Sequence, residues 1–165
     1  TGHIRKEYRH SGYRYVISPW ALTWEDENYY LIGYDSKAGV IKHYRVDKME
    51  GMAITKRPRE GEDHFQAFDM ALYAKKVFGM FGGAETTVRL RFAKDLIGVV
   101  IDRFGEDVPL QTVTDDDFQI TVSVVTSPQF FSWLFAFGDK VQILSPEAVI
   151  KAFQNQLQAA QRVYI

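Results

Sequence analysis

The sequence predicts an α+β protein in two parts: a small all-β module, then a β-α-β-β-α-β unit closed by one more helix. Three observations predict it. Residues 4–56 hold several short runs rich in Tyr, Val and Ile, separated by turn-forming residues and without a helical period. From Thr86 onward the apolar pattern switches repeatedly between a period of two and a period near 3.6. Between the two lies the charged stretch Arg57-Pro58-Arg59-Glu60-Gly61-Glu62-Asp63, whose Pro and Gly break both patterns.

In chain order, Ser11-Gly12 reads as a turn and residues 13–17 as a strand ending at Ser18-Pro19. Residues 20–24 form a second run, stopped by the acidic turn Glu25-Asp26-Glu27. Residues 28–49 then read as a β-hairpin. Its strands are 29–34 and 40–46, and its five-residue connection runs from Asp35 to Gly39, ending in the residue best able to take positive φ. Residues 52–56 give one more short strand. Four or five close-set strands predict a small barrel of Sm or SH3 type over residues 4–57.

Residues 58–83 read as a linker carrying a short helix from Asp69 through Val77, anchored by Phe68, Leu72 and Tyr73. In the second part, Val88, Leu90 and Phe92 alternate with Thr87, Arg89 and Arg91, as in a half-buried strand. Leu96, Ile97, Val100, Ile101 and Phe104 fall at helical spacing before Gly105. Residues 108–113 and 118–126 are strands joined by a turn at Asp115-Asp116-Asp117. Ser127-Pro128 opens a helix lined by Phe130, Phe131, Leu134 and Phe137, because Ser caps well and Pro suits the first helical position. Residues 140–144 form a strand, and Ser145-Pro146 repeats the opening signal for a last helix striped by Val149, Ile150, Phe153, Leu157 and Ala160. This order over residues 84–165 is the ferredoxin-like arrangement.

Composition narrows function. A chain of 165 residues with 46% hydrophobic residues can bury a core and is not a disordered tail. The net charge of −1 hides a mild division: residues 1–60 carry 11 Lys+Arg against 8 Asp+Glu, and residues 84–165 carry 7 against 10. No Cys means no disulfide, thiolate metal site or cysteine nucleophile, which suits a cytoplasmic protein. No apolar run approaches the ~20 residues of a membrane span. The start Thr1-Gly2-His3 lacks an initiator Met and reads as a fragment boundary.

Candidate binding residues lie in the hairpin. Strand alternation puts His43 and Arg45 on one face with Ile41 and Asp47, and Tyr44 and Val46 on the other. Spaced roughly 7 Å apart along the strand, His43 and Arg45 can jointly contact a phosphate or carboxylate. An ordinary wet sheet face would give the same pattern. Tyr29 and Tyr30 take opposite faces, and the pattern leaves open which one joins them; Arg14 is a further candidate. The triple Asp115-Asp116-Asp117 lacks the spaced ligands and Gly of a calcium loop and reads as a solvated turn. His64 and Asp69 lack a nucleophile and a third orienting group, so no enzymatic reaction is predicted, and no cofactor or metal.

These segments resemble a known family. YVISPWALTW, NYYLIGYD and IKHYRVDKM look like the WYL domain, whose tripeptide here reads Tyr29-Tyr30-Leu31. VRLRFA and FFSWLFAFGDKVQILSPEAV look like the C-terminal extension that commonly follows it. Tyr29 stands in place of the family Trp, and Lys48 in place of an expected Arg. The resemblance implies the ligand-sensing region of a bacterial transcriptional regulator, reaching operator DNA only through an N-terminal winged helix-turn-helix absent here. It further implies an Sm-like barrel that binds single-stranded nucleic acid or a nucleotide-like ligand, and an extension that makes homodimer contacts. By the same resemblance Tyr30 stacks or hydrogen-bonds, His43 and Arg45 bind phosphate, and Lys48 adds charge. The alternative is a protein-interaction or dimerisation module with no small ligand.

Overall fold

The computed structural model describes residues 13–66, 73, 75–80, 82 and 85–165. The chain divides into two compact units, Thr1–Ala67 and Phe68–Ile165, each α+β with its own antiparallel sheet.

The first unit is a three-stranded meander in the order β1-β2-β3, with β1 Ser18–Glu25, β2 Asn28–Asp35 and β3 Val40–Arg45. The turn between β2 and β3 forms where the sequence predicts it, and Asp35 shows why. Its Oδ1 accepts from the Lys37 and Ala38 amides at 3.1 Å each, while Lys42 Nζ reaches Oδ2 at 2.6 Å. The Lys42 ammonium holds the Asp35 carboxyl below the usual carboxylate range, and Gly39 closes the loop at φ +68°.

Two predicted strands do not form. Residues 13–17 and 52–56 are irregular, and among the described residues neither pairs with a strand. Met52 and Ile54 are exposed, so their apolar alternation has no facing surface to bury against. The charged stretch after them packs back onto the sheet. A bulge between Pro19 and Ala21 releases Trp20 from the pleat. The Trp20 ring lies between Arg59, 4.2 Å from its centroid, and Phe65, stacked at 5.1 Å, and its Nε1 donates to Glu60 O. The Glu60 amide in turn donates to Ser18 Oγ at 2.9 Å. A one-turn helix not foreseen from sequence, α1 Glu62–Phe65, follows Gly61, and His64 stacks on Tyr34 at 4.8 Å.

The second unit contains β4 Glu85–Ala93, α2 Ile97–Phe104, β5 Leu110–Thr112, β6 Asp117–Val125, α3 Pro128–Phe135, β7 Val141–Ser145 and α4 Glu147–Gln161, with sheet order β5-β6-β4-β7. Strand β4 alternates as its period requires: Val88, Leu90 and Phe92 are fully buried and Thr87, Arg89 and Arg91 exposed. Val100 from α2, Phe118, Ile120 and Val124 from β6, and Phe130 and Leu134 from α3 complete the core. Trp133 joins it through rings of Phe78, Phe92, Phe104 and Phe137.

The two Ser-Pro signals differ in outcome. Ser127 caps α3, accepting from the Phe130 amide at 3.2 Å. Ser145 stays in β7 opposite Arg89, and Pro146 occupies the N-cap of α4, so that helix starts without a side-chain cap. The Asp115–Asp117 region is the β5–β6 turn, and among the described residues no three His, Cys, Asp or Glu side chains converge on a metal position. The linker helix predicted from Asp69 lies largely outside the described residues, as does Asp69 itself; Tyr73, Lys75 and Lys76 within it are helical. No helix among the described residues is long and apolar enough to cross a membrane.

Candidate functional site

Pairing across the hairpin fixes its two faces. Tyr30 lies opposite Arg45, Ile32 opposite His43 and Tyr34 opposite Ile41, so these six side chains share one face. On the other face Leu31 lies opposite Tyr44 and Gly33 opposite Lys42, and Tyr29 pairs with Trp24 of β1. Tyr30 is therefore the tyrosine that joins His43 and Arg45. Tyr29 turns the opposite way, where its ring meets Trp24 at 4.7 Å, edge on face, with both rings exposed. Arg14 is exposed in the irregular run before β1. Its neighbours Tyr13 and Tyr15 touch each other, and Tyr15 lies 6.1 Å from the Tyr44 ring, on the face away from Arg45. The structure thus puts Tyr30, His43 and Arg45 on one face and Tyr29 on the other, with Arg14 in the irregular run before β1.

Strand β3 ends at Arg45, and Val46–Lys48 makes a single 3-10 turn. That turn changes the role of Asp47. Instead of projecting beside Arg45 along an extended strand, its carboxylate folds back onto the guanidinium. Arg45 Nε donates to Oδ1 and Nη2 to Oδ2, each at 3.0 Å, and Lys48 Nζ lies 3.2 Å from Oδ2. Nη2 also donates to Asn28 Oδ1 at 2.6 Å, tying the end of β3 to the start of β2. The hydrogen bond from Arg45, helped by Lys48, holds the Asp47 carboxyl at about 2.

The cluster is open to water. The side chains of Arg45, Asp47 and Lys48 are 40%, 47% and 63% exposed. An ion pair this wet is screened by water and salt and adds little to stability, so a competing anion can displace it. Half-buried His43 and Tyr30 extend the same face toward Ile32, which is fully buried. The face therefore offers a flat guanidinium, an imidazole and a phenol, with the Lys48 ammonium reaching the same carboxylate as Arg45, which suits a phosphate beside a ring. Sequence reasoning named four of these but missed Asn28 and the true position of Asp47. Asn28 was legible in principle, since it lies two residues before Tyr30 and so on the same face.

In the second unit, two open, largely apolar hollows of about 260 Å³ each lie against α4. One is lined by Thr86, Phe131, Val149 and Ala152, the other by Leu134, Ile143, Ile150 and Phe153. Neither holds a charged side chain.

Comparison with protein families matches residues 3–54 to the WYL domain and residues 84–161 to the WCX domain. The chain thus carries a WYL domain followed by a WCX domain. The hairpin face described above falls inside its WYL domain, and the four-stranded sheet inside its WCX domain. Among solved structures, proteasome accessory factor B/C of Arthrobacter aurescens is similar over 90% of this chain and 22% of that one, at 19% identity and a TM-score of 0.42. This chain thus spans about a fifth of that protein's length. No curated protein matches the chain.

Proposed function

We propose that this chain is the effector region of a bacterial transcriptional regulator, and that its WYL domain binds single-stranded nucleic acid or a nucleotide-like phosphorylated ligand. The observation that carries the reading is the exposed Arg45 guanidinium, held flat by Asn28 and Asp47, with Lys48 beside it and Tyr30 directly across the strand pair. A guanidinium presented as a fork takes phosphate through two parallel N–H bonds, and a neighbouring ring gives a base or sugar something to stack on. In this reading the three-stranded meander belongs to an Sm-like barrel. The WCX domain is ferredoxin-like, a reading supported by its β5-β6-β4-β7 order and its β-α-β-β-α-β sequence of elements. DNA recognition belongs to a separate N-terminal domain. The test is fluorescence anisotropy with a labelled single-stranded oligonucleotide. Wild-type chain binds, and Arg45→Ala weakens binding by about 1 to 3 kcal/mol with little change in melting temperature. Equal binding by the variant removes Arg45 from the site.

A second reading is a dimerisation module with no small ligand. It is favoured by the Arg45–Asp47 pair, which already neutralises the guanidinium, and by the two apolar hollows against α4, which a second copy would cover. Sedimentation gives a dimer under both readings, and the oligonucleotide titration separates them.

A further inference from the structure

A carboxylate already sits where an anionic ligand would sit. Asp47 presents two oxygens to the Nε and Nη2 edge of Arg45, 3.0 Å each, and one of them also faces Lys48 Nζ at 3.2 Å. This is the planar, two-bond arrangement in which a guanidinium takes a phosphate. It exists because the chain leaves the strand immediately after Arg45 and the turn over Val46–Lys48 brings residue 47 back over residue 45.

We propose that Asp47 is a built-in competitor: its carboxylate fills the anion seat of Arg45 and Lys48, and ligand binds by displacing it. The inference rests on the reading of this face as an anion site. Asn28 is the positioning residue of the exchange. Its neutral carbonyl keeps hold of Nη2 at 2.6 Å, so the guanidinium plane stays oriented when the carboxylate leaves. The exchange also sets ligand class. An isolated monoanion swaps one singly charged group for another and leaves the displaced Asp47 close by, so it gains little. A ligand with two or more neighbouring phosphates engages Arg45 and Lys48 together and outweighs the single carboxylate it replaces. The seat therefore discriminates in favour of closely spaced phosphates, as on an oligonucleotide or a nucleoside polyphosphate, and against inorganic phosphate and simple carboxylates.

The experiment titrates a labelled 12-nucleotide single strand with wild-type chain, Asp47→Asn, Asp47→Ser and Glu27→Gln, and repeats each titration with inorganic phosphate or a nucleoside triphosphate as competitor. Glu27, one residue before Asn28, serves as the charge control. Both Asp47 variants bind about two- to fivefold more tightly than wild type, the loss of an exposed pair that no longer has to be broken. Glu27→Gln changes affinity by less than about 1.5-fold, the effect of one screened surface charge. The triphosphate competes in every chain, whereas inorganic phosphate competes only in the Asp47 variants; failure of the triphosphate to compete restricts the ligand to polynucleotide. Wild-type binding that is unchanged or weakened by both Asp47 substitutions overturns the inference and makes Asp47 a bracket for the end of β3. A gain matched by Glu27→Gln overturns it as well, in favour of net charge. No binding by any of these chains defeats instead the anion-site reading on which the inference stands.

Discussion

The four-stranded sheet of the WCX domain and the three-stranded sheet of the WYL domain spend their apolar residues differently. In the first, one face of the central strands is interior: Val88, Leu90 and Phe92 of β4 lie among Ile120, Phe130 and Leu134, all nearly or fully buried. In the second, only Ser18, Ile32, Gly33 and Asp35 are buried among the described residues, while Leu22, Trp24, Tyr29 and Val40 stand in water. One sheet is organised around packing. The other displays side chains on both faces, the Trp24–Tyr29 ring pair on one and the Arg45 cluster on the opposite one. Loss of a core group costs transfer and cavity energy together, whereas loss of a displayed group costs little stability.

The contrast is broken most directly by paired truncations. Phe92→Ala destabilises the WCX domain by about 3 to 5 kcal/mol, and Trp24→Ala changes the stability of the WYL domain by less than about 1 kcal/mol. Hydrogen exchange resolved by domain checks both, and a large loss from Trp24→Ala would place that ring in a core. A smaller loss, about 1 to 3 kcal/mol, follows Gly61→Ala: this glycine sits at φ +83°, and a β-carbon there would collide with the Tyr34 ring. The Tyr34–His64 stack should report it, as a change in the His64 ring shifts by nuclear magnetic resonance.

Smaller still is the cap of α3. Ser127→Ala costs about 1 kcal/mol, while Ser145→Ala, at the sequence signal that does not cap α4, costs less than half of that; chemical denaturation of the two variants compares them. The smallest effect belongs to Asp47. Its folded pKa lies at about 2, below the ordinary aspartate value of 3.8, so the pair's contribution is present above about pH 4 and fades as pH falls toward 2. Acid titration followed by the Asp47 carboxyl resonance should show this depressed midpoint, and Arg45→Ala should return it toward the ordinary value.

The same contrast explains what the sequence made legible. Period-two alternation in β4 was readable because burial enforces it, and Ser127-Pro128 because capping is local. The hairpin was readable from Asp35 and Gly39, whose turn chemistry is self-contained. What failed depended on partners distant in the chain. The apolar run at 52–56 looks like a strand but has no facing strand among the described residues. Arg57 to Asp63 reads as a charged break, yet Trp20, freed by a bulge, gathers Arg59 from it and Phe65 just after it around its ring. Ser145-Pro146 copies a capping signal, but pairing with Arg89 keeps Ser145 in the sheet. At the candidate site, alternation put His43 and Arg45 on one face, and the hairpin register, which alternation does not give, selects Tyr30 over Tyr29 as their neighbour. Alternation misplaced Asp47, because nothing in strand periodicity marks where β3 stops.

The central claim is that Arg45 meets a phosphate, and the salt dependence of oligonucleotide binding tests it at the level of single contacts. The logarithm of the affinity of wild-type chain should fall linearly with the logarithm of salt concentration, and Arg45→Ala should reduce that slope by about 0.7, the value of one single-strand phosphate contact. Parallel lines for the two chains, offset or not, would contradict the account.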